Sequence, residues 1–366
     1  MSRKKIKVLI VDDTVLYRKI IRDTLSSFAE VDVVGTASNG KIALSQITAL
    51  KPDLITLDQE MPELNGVQTL RMLKAFNGKM PATVMVSAHT TKDAAVTMQA
   101  LELGAFDFIT KPAGNTMQAN IEALEQQFKP ILQAYAIKSN LGRDTVVQKE
   151  SAAVAGSGNI NPDTFTGQPI KSGLRPDAVA IGVSTGGPKA LAQVIPHISG
   201  RLSQPVFIVQ HMPAMFTKAL AESLDEKAQL QVKEAENGEA VQRGHVYIAP
   251  GGKHMKVVKS LAGQVSIEIT DDAPENYCKP AADYLFRSVA DVYGKRTLGV
   301  IMTGMGRDGV KGLDVLKKKG AAVLAQDKKS SVVFGMPMEA IRAGVVDQVA
   351  PLSSLAGEIN RICAGI

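Results

Sequence analysis

Cysteine is scarce: the 366 residues contain two, Cys278 and Cys363, in different motifs and without the spacing of a metal knuckle or a redox pair. Long apolar runs are missing as well. No stretch approaches the roughly 20 residues that cross a bilayer, so no membrane insertion is expected. The first apolar run, Ile6 to Val11, ends in two aspartates and is too brief for the core of a signal peptide, so a cytoplasmic location is expected. Basic clusters interleaved with aromatics are absent, as is any helix-turn-helix pattern. The formal charge of +6 is carried by lysines dispersed in small groups such as Lys317 to Lys319, and no nucleic-acid partner is expected. Internal repeats are not found.

What is present is 45% apolar and 21% charged residues over a length too great for one core, which argues for two globular units. From residue 5 to 130, apolar runs alternate with segments of helical period. The runs are Lys5 to Val11, Val31 to Ala37, Asp53 to Asp58, Ala82 to Ala88 and Phe106 to Thr110. Strict alternation predicts a parallel sheet covered on both faces, with its ligand site at the carboxyl ends of the strands. Between about Ser139 and Pro176 the pattern gives way to Ala, Ser, Gly, Asn, Pro and Thr, the composition of a flexible linker. A second alternating series begins at Asp177. It includes the strand Pro205 to His211, a hairpin across Lys256 to Thr270, and the strands Thr297 to Thr303 and Ala321 to Gln326.

In the first unit, Asp12 and Asp13 close the first strand, Asp58 the third and Ser87 the fourth, and Lys111 follows the fifth. Three carboxylates with few other donors suit a hard octahedral cation such as Mg²⁺, with the backbone carbonyl of Glu60 completing the shell. An anionic carboxylate attacking a phosphoryl group needs its charge neutralised, a task for the metal and the Lys111 ammonium. Asp58 is then the phosphoacceptor, and the Ser87 hydroxyl can hydrogen-bond a phosphoryl oxygen. Each residue alone reads as a cap or turn; the weight lies in their order at successive strand ends.

In the second unit, Gly182-Val-Ser-Thr-Gly186 fits G-x-S-x-G between a strand and a helix, where a sharp turn exposes the Ser184 hydroxyl beside free amides. Taken alone, the segment also fits a helix-capping turn or a phosphate loop. His211 is the histidine that ends a buried strand and is the preferred base. Asp308, in Met302-Thr-Gly-Met-Gly-Arg-Asp-Gly309, is the orienting carboxylate. No cofactor is expected in this second site. His197, His245 and His254 read as surface or turn residues, His89 borders the first site, and Cys278, a nucleophile in principle, reads rather as a buried structural thiol.

The receiver motifs Asp12-Asp13, Leu57-Asp-Gln-Glu-Met-Pro62, Val86-Ser87 and Thr110-Lys-Pro112 resemble those of two-component response regulators. Joined to Gly182-Val-Ser-Thr-Gly-Gly-Pro188, Val209-Gln-His-Met-Pro213, Tyr247-Ile-Ala-Pro-Gly-Gly-Lys-His254 and Val333-Phe-Gly-Met-Pro337, they make nearly the whole chain resemble the CheB methylesterase family. The resemblance implies two doubly wound parallel-sheet α/β domains. These are a (βα)5 receiver domain at 1–130 and a Rossmann-like esterase domain with a small β-hairpin at 177–366, joined by a linker at 131–176. It implies Phe108 as an aromatic switch, a cis Lys111–Pro112 peptide, and an oxyanion hole formed by amides near Thr185 and Met305. It also implies the partners, a chemotaxis histidine kinase as phosphodonor and methyl-accepting chemotaxis receptors as substrate. The implied activities are hydrolysis of receptor glutamate methyl esters and deamidation of receptor glutamines, both under control of phosphorylation. The alternative of a different class is a response regulator whose second domain only binds, for which the pI of about 9.1 is the best support.

Overall fold

The computed structural model describes residues 4–75, 80–139 and 160–366, and the chain divides into two compact units, Met1–Ala152 and Ala153–Ile366. In the first, β1 (Ile6–Val11), β2 (Val31–Ala37), β3 (Leu54–Asp58), β4 (Ala82–Ser87) and β5 (Asp107–Thr110) form a sheet in the order β2-β1-β3-β4-β5. All pairs are parallel. The central strands are apolar nearly throughout because α1 (Val15–Ser26), α2 (Gly40–Leu50), α3 (Gly66–Lys74), α4 (Thr91–Leu103) and α5 (Met117–Lys138) cover both faces. Polar side chains start these helices where the sheet turns back. Asn39, Thr90 and Thr116 cap α2, α4 and α5, and Asn65 with Gln68 forms a capping box on α3.

The second unit holds seven parallel strands in the order β14-β13-β12-β6-β7-β9-β8. They are β6 (Ala178–Val183), β7 (Val206–Gln210), β8 (Gln231–Glu234), β9 (His245–Ile248), β12 (Thr297–Ile301), β13 (Ala322–Gln326) and β14 (Gln348–Ala350). The antiparallel hairpin β10 (His254–Lys259) and β11 (Val265–Thr270) stands apart from this sheet. Helices α6 (Gly187–Val194), α7 (Phe216–Asp225), α8 (Ala282–Tyr293), α9 (Val310–Lys318), α10 (Met336–Arg342) and α11 (Leu352–Ala364) complete the unit. No helix among the described residues is long and apolar enough to cross a membrane.

Of the stretch 131–176 expected to link the two units, residues 140–159 lie outside the described residues. On its near side α5 runs through Pro130 to Lys138, although an interior proline costs a helix about 3 kcal/mol. Burial of Ile131, Leu132 and Tyr135 offsets that loss, with the Tyr135 ring set edge-on to Phe106 at 6.1 Å. On its far side residues 160–176 pack on the second unit. Ile160 and Phe165 lie against its core, Gln168 N–H donates to Asp347 O at 2.9 Å, and Ile170 N–H donates to Gln348 Oε1 at 2.8 Å.

Candidate active site

The parallel sheet of the first unit brings Asp12, Asp58, Ser87 and Lys111 to one edge, as their strand-end positions predict. Lys111 Nζ lies 2.8 Å from Asp58 Oδ2 and 3.1 Å from Asp12 Oδ2. Its charge also sits 4.7 Å above the Tyr17 ring. Asp58 Oδ1 accepts the Gln59 N–H at 2.8 Å, and Asp12 Oδ1 accepts the Thr14 N–H at 2.8 Å. Asp58 is 3% exposed, and burial, reinforced by the charge of Asp12, pushes it up to about 6 against the pull of Lys111. Burial works against the Lys111 charge in turn, but Asp58 and Asp12 outweigh it and hold the ammonium firmly protonated.

This donor set fits a small hard cation. One oxygen from each of Asp12, Asp13 and Asp58 lies within 4.8 Å of the others, and the buried Asp12 Oδ2 has the Lys111 ammonium as its charge partner. The Glu60 side chain turns outward to Lys92 at 3.4 Å, which leaves its backbone carbonyl as the group it can offer a metal. Ser87 Oγ accepts a hydrogen bond from Thr97 Oγ1 of α4 at 2.9 Å. Phe108 is half-buried on β5. The Lys111–Pro112 peptide is trans, contrary to what the resemblance implies; the cis X–Pro bond among the described residues is Lys279–Pro280.

In the second unit, Ser184 follows β6, His211 follows β7, and Asp308 lies in the loop from β12 to α9. Two buried polar residues tie these loops together. Gln210 Nε2 donates to Ser184 O and His211 O, both at 3.1 Å, while Ser184 N–H donates to Thr303 O at 2.9 Å. Close approach demands glycine at two places. A Cβ on Gly187 would fall 1.8 Å from Gln210 Oε1, and one on Gly304 would fall 2.3 Å from Met336 Sδ and 2.7 Å from Ser184 Cβ.

Asp308 is 2% exposed and accepts four hydrogen bonds. The donors are the N–H groups of Ala282 (2.6 Å) and Asp283 (3.1 Å) at the start of α8, Asn276 Nδ2 (2.9 Å) and His211 Nε2 (2.8 Å). Burial works to raise its pKa, but the His211 and backbone hydrogen bonds prevail and hold it below the ordinary carboxylate value. An ionised Asp308 requires a proton on His211 Nε2, which leaves the lone pair on Nδ1. That nitrogen faces Cys278 Sγ at 3.5 Å. Burial opposes a charge on His211, yet the Cys278 charge and the Asp308 hydrogen bond outweigh it and carry the imidazole up to about 10.

Ser184 Oγ forms no hydrogen bond among the described residues, so His211 and Asp308 are joined while the Ser184–His211 link is open. The N–H groups of Thr185 and Met305 likewise have no partner there, the state required of amides that receive an oxyanion. Two features lay beyond the sequence reading, and two expectations are corrected. Asn276 holds Asp308 and, at 2.9 Å, Asp283 Oδ2. Asn276 and Tyr277 both have positive φ, with Glu275 and Cys278 bridged around them. Cys278 itself is half-buried against His211 rather than sequestered in a core. His254, expected at the surface, is fully buried and stacked on Tyr284 at 4.4 Å.

A family profile described as CheB methylesterase matches residues 179–359, and one described as response regulator receiver domain matches residues 8–122. A relative from Desulfotalea psychrophila named protein-glutamate methylesterase/protein-glutamine glutaminase is 49% identical over 364 residues, covering 97% of this chain and 98% of its own. A relative of the same name from Bacillus subtilis is 41% identical over 359 residues, covering 97% and 98%. The CheB methylesterase catalytic domain of Thermotoga maritima aligns at 42% identity and a TM-score of 0.49, over 50% of this chain and 97% of that one.

Proposed function

The chain belongs to the CheB methylesterase family, and from that premise we propose that it hydrolyses glutamate methyl esters on methyl-accepting chemotaxis receptors and deamidates receptor glutamines, under control of phosphorylation at Asp58. The observation that carries the chemistry is the 2.8 Å His211–Asp308 pair beside the Ser184 turn. Ser184 Oγ attacks the ester carbonyl as His211 Nδ1 takes its proton, and His211 Nε2 keeps its hydrogen bond to Asp308. The amides of Thr185 and Met305 receive the oxyanion. Methanol leaves with the proton from Nδ1; water, deprotonated by the same nitrogen, then releases the glutamate. A glutamine follows the same path with ammonia as leaving group.

In the receiver, Asp12, Asp13, Asp58 and the Glu60 carbonyl are the groups proposed to hold Mg²⁺, which when bound supplies charge neutralisation for phosphoryl transfer. Asp58 accepts the phosphoryl group from a chemotaxis histidine kinase, Lys111 balances its charge, and Ser87 and Phe108 respond to it. A cytoplasmic location follows from these partners. The test is methanol release from methylated receptors, with and without a small phosphodonor plus Mg²⁺: release that rises with phosphodonor supports the reading, and none under either condition contradicts it. One contact favours a second reading in which Cys278, whose Sγ stands 3.5 Å from His211 Nδ1, is the nucleophile.

A further inference from the structure

The proposed esterase chemistry leaves Cys278 unused, although its Sγ stands 3.5 Å from the ring nitrogen that must receive the proton. We propose that Cys278 Sγ and His211 Nδ1 form a chelating pair for a soft divalent cation, zinc foremost. Tetrahedral zinc, with bonds of about 2.3 Å to sulfur and about 2.0–2.1 Å to nitrogen, spans donors ~3.5 Å apart, the separation of this pair, and a turn of the Cys278 side chain would set the sulfur for it.

The surroundings complete a metal-binding pattern. His211 Nε2 donates to Asp308 at 2.8 Å, and Asp308 is fixed in turn by Asn276 and the amides of Ala282 and Asp283. A histidine ligand is ordinarily held in this way, its second nitrogen on a carboxylate that sets the tautomer and the ring plane. One Asp308 oxygen also lies within 4.8 Å of Cys278 Sγ and of a His211 ring nitrogen, but Asp308 is engaged with Nε2 and serves as the outer partner. Two protein ligands leave two positions for water. The chain thus carries two cation sites of opposite character. The all-oxygen cluster of Asp12, Asp13 and Asp58 suits Mg²⁺, and the sulfur–nitrogen pair suits zinc. Cys363, the other thiol, is buried on α11 and has no such partner among the described residues.

Chelation itself does not depend on the proposed esterase activity, but its consequence does: a metal on Nδ1 takes the lone pair that Ser184 needs, and ester hydrolysis stops. The experiment uses the full chain with Mg²⁺ in excess and Co²⁺ as the spectroscopic probe. One equivalent of Co²⁺ is expected to produce a thiolate-to-cobalt charge-transfer band. Zn²⁺ should displace that band, and methanol release should fall in step. Cys278→Ser should lose the band and need about 100-fold more zinc for half-inhibition of its own metal-free rate. Cys363→Ser should behave as the parent. A band that survives in Cys278→Ser, or zinc inhibition unchanged in that variant, overturns the proposal. A Cys278-dependent band without loss of methanol release keeps the chelate and overturns the role of His211 as base.

Discussion

Asp58 and Asp308 are both buried carboxylates at the carboxyl edge of a parallel sheet, each beside a basic partner, yet their surroundings drive them in opposite directions. Asp58 has Lys111 and one amide in its favour and a second buried aspartate against it, and it is lifted to about 6. Asp308 has four donors converging on it and stays below the ordinary value. The difference lies in whether the protein itself completes the hydrogen bonding. A carboxylate left short of donors is one that gains from a metal ion and a phosphoryl group. A carboxylate fully supplied is one whose charge never changes while it orients a base.

The harshest test of that contrast is to remove the groups that Asp308 serves. Ser184→Ala and His211→Ala should each lower methanol release by about 10⁴-fold or more, with Asp308→Asn milder, because triad members act as a unit. Purified Ser184→Ala with near-normal turnover would break the esterase half of the comparison. Asp58→Asn should do the reverse: phosphate incorporation, read by intact mass, should vanish while basal methanol release persists. Lys111→Ala should weaken the response to phosphodonor. Incorporation undiminished in Asp58→Asn would place the acceptor elsewhere.

A smaller effect should follow from Asn276→Ala, which strips one of the four donors from Asp308. A lost hydrogen bond to a charged group costs about 1.5–3 kcal/mol, so kcat should fall by roughly 10- to 100-fold with KM little changed. An unaltered kcat would mean that the remaining donors suffice. The mildest prediction concerns pH. In metal-free protein, carboxyl NMR should show Asp58 titrating near 6 rather than at its ordinary 3.8, and Asp308 titrating below its ordinary value. Since the folded pKa of Asp58 lies above its unfolded one, ionising it costs folding free energy, and its contribution to stability declines as pH rises from 3.8 to about 6. Asp308 acts oppositely: its stabilisation is present above its unfolded pKa and is lost as pH falls through the depressed folded value. Equal pKa values for the two groups would erase the contrast.

Both sheets were legible in the alternation of apolar runs with helical period, and so were the residues at strand ends, because a parallel sheet carries every strand's carboxyl end to one edge. Ser184, His211 and Asp308 were proposed on that rule. Asn276 carried no such signal and Cys278 was read chiefly as a buried thiol, since both arrive on a turn between β11 and α8 that has no period of its own. Its backbone at Asn276 and Tyr277 has positive φ, a conformation for which Asn is a modest signal and Tyr none. Gln210 and Thr303 left a faint trace as polar residues closing apolar runs, but their partners are carbonyls in other loops. The helical reach of α5 beyond Pro130 depended on tertiary burial that local propensity does not register.

The central claim is that Ser184, rather than the Cys278 thiol that touches His211, is the nucleophile. Reaction of the full-length protein with a serine-directed phosphonate, followed by peptide mass spectrometry, decides it. A single adduct on Ser184, lost in Ser184→Ala and in parallel with methanol release, is the predicted result. An adduct on Cys278, or full esterase inhibition with Ser184 unmodified, would contradict it.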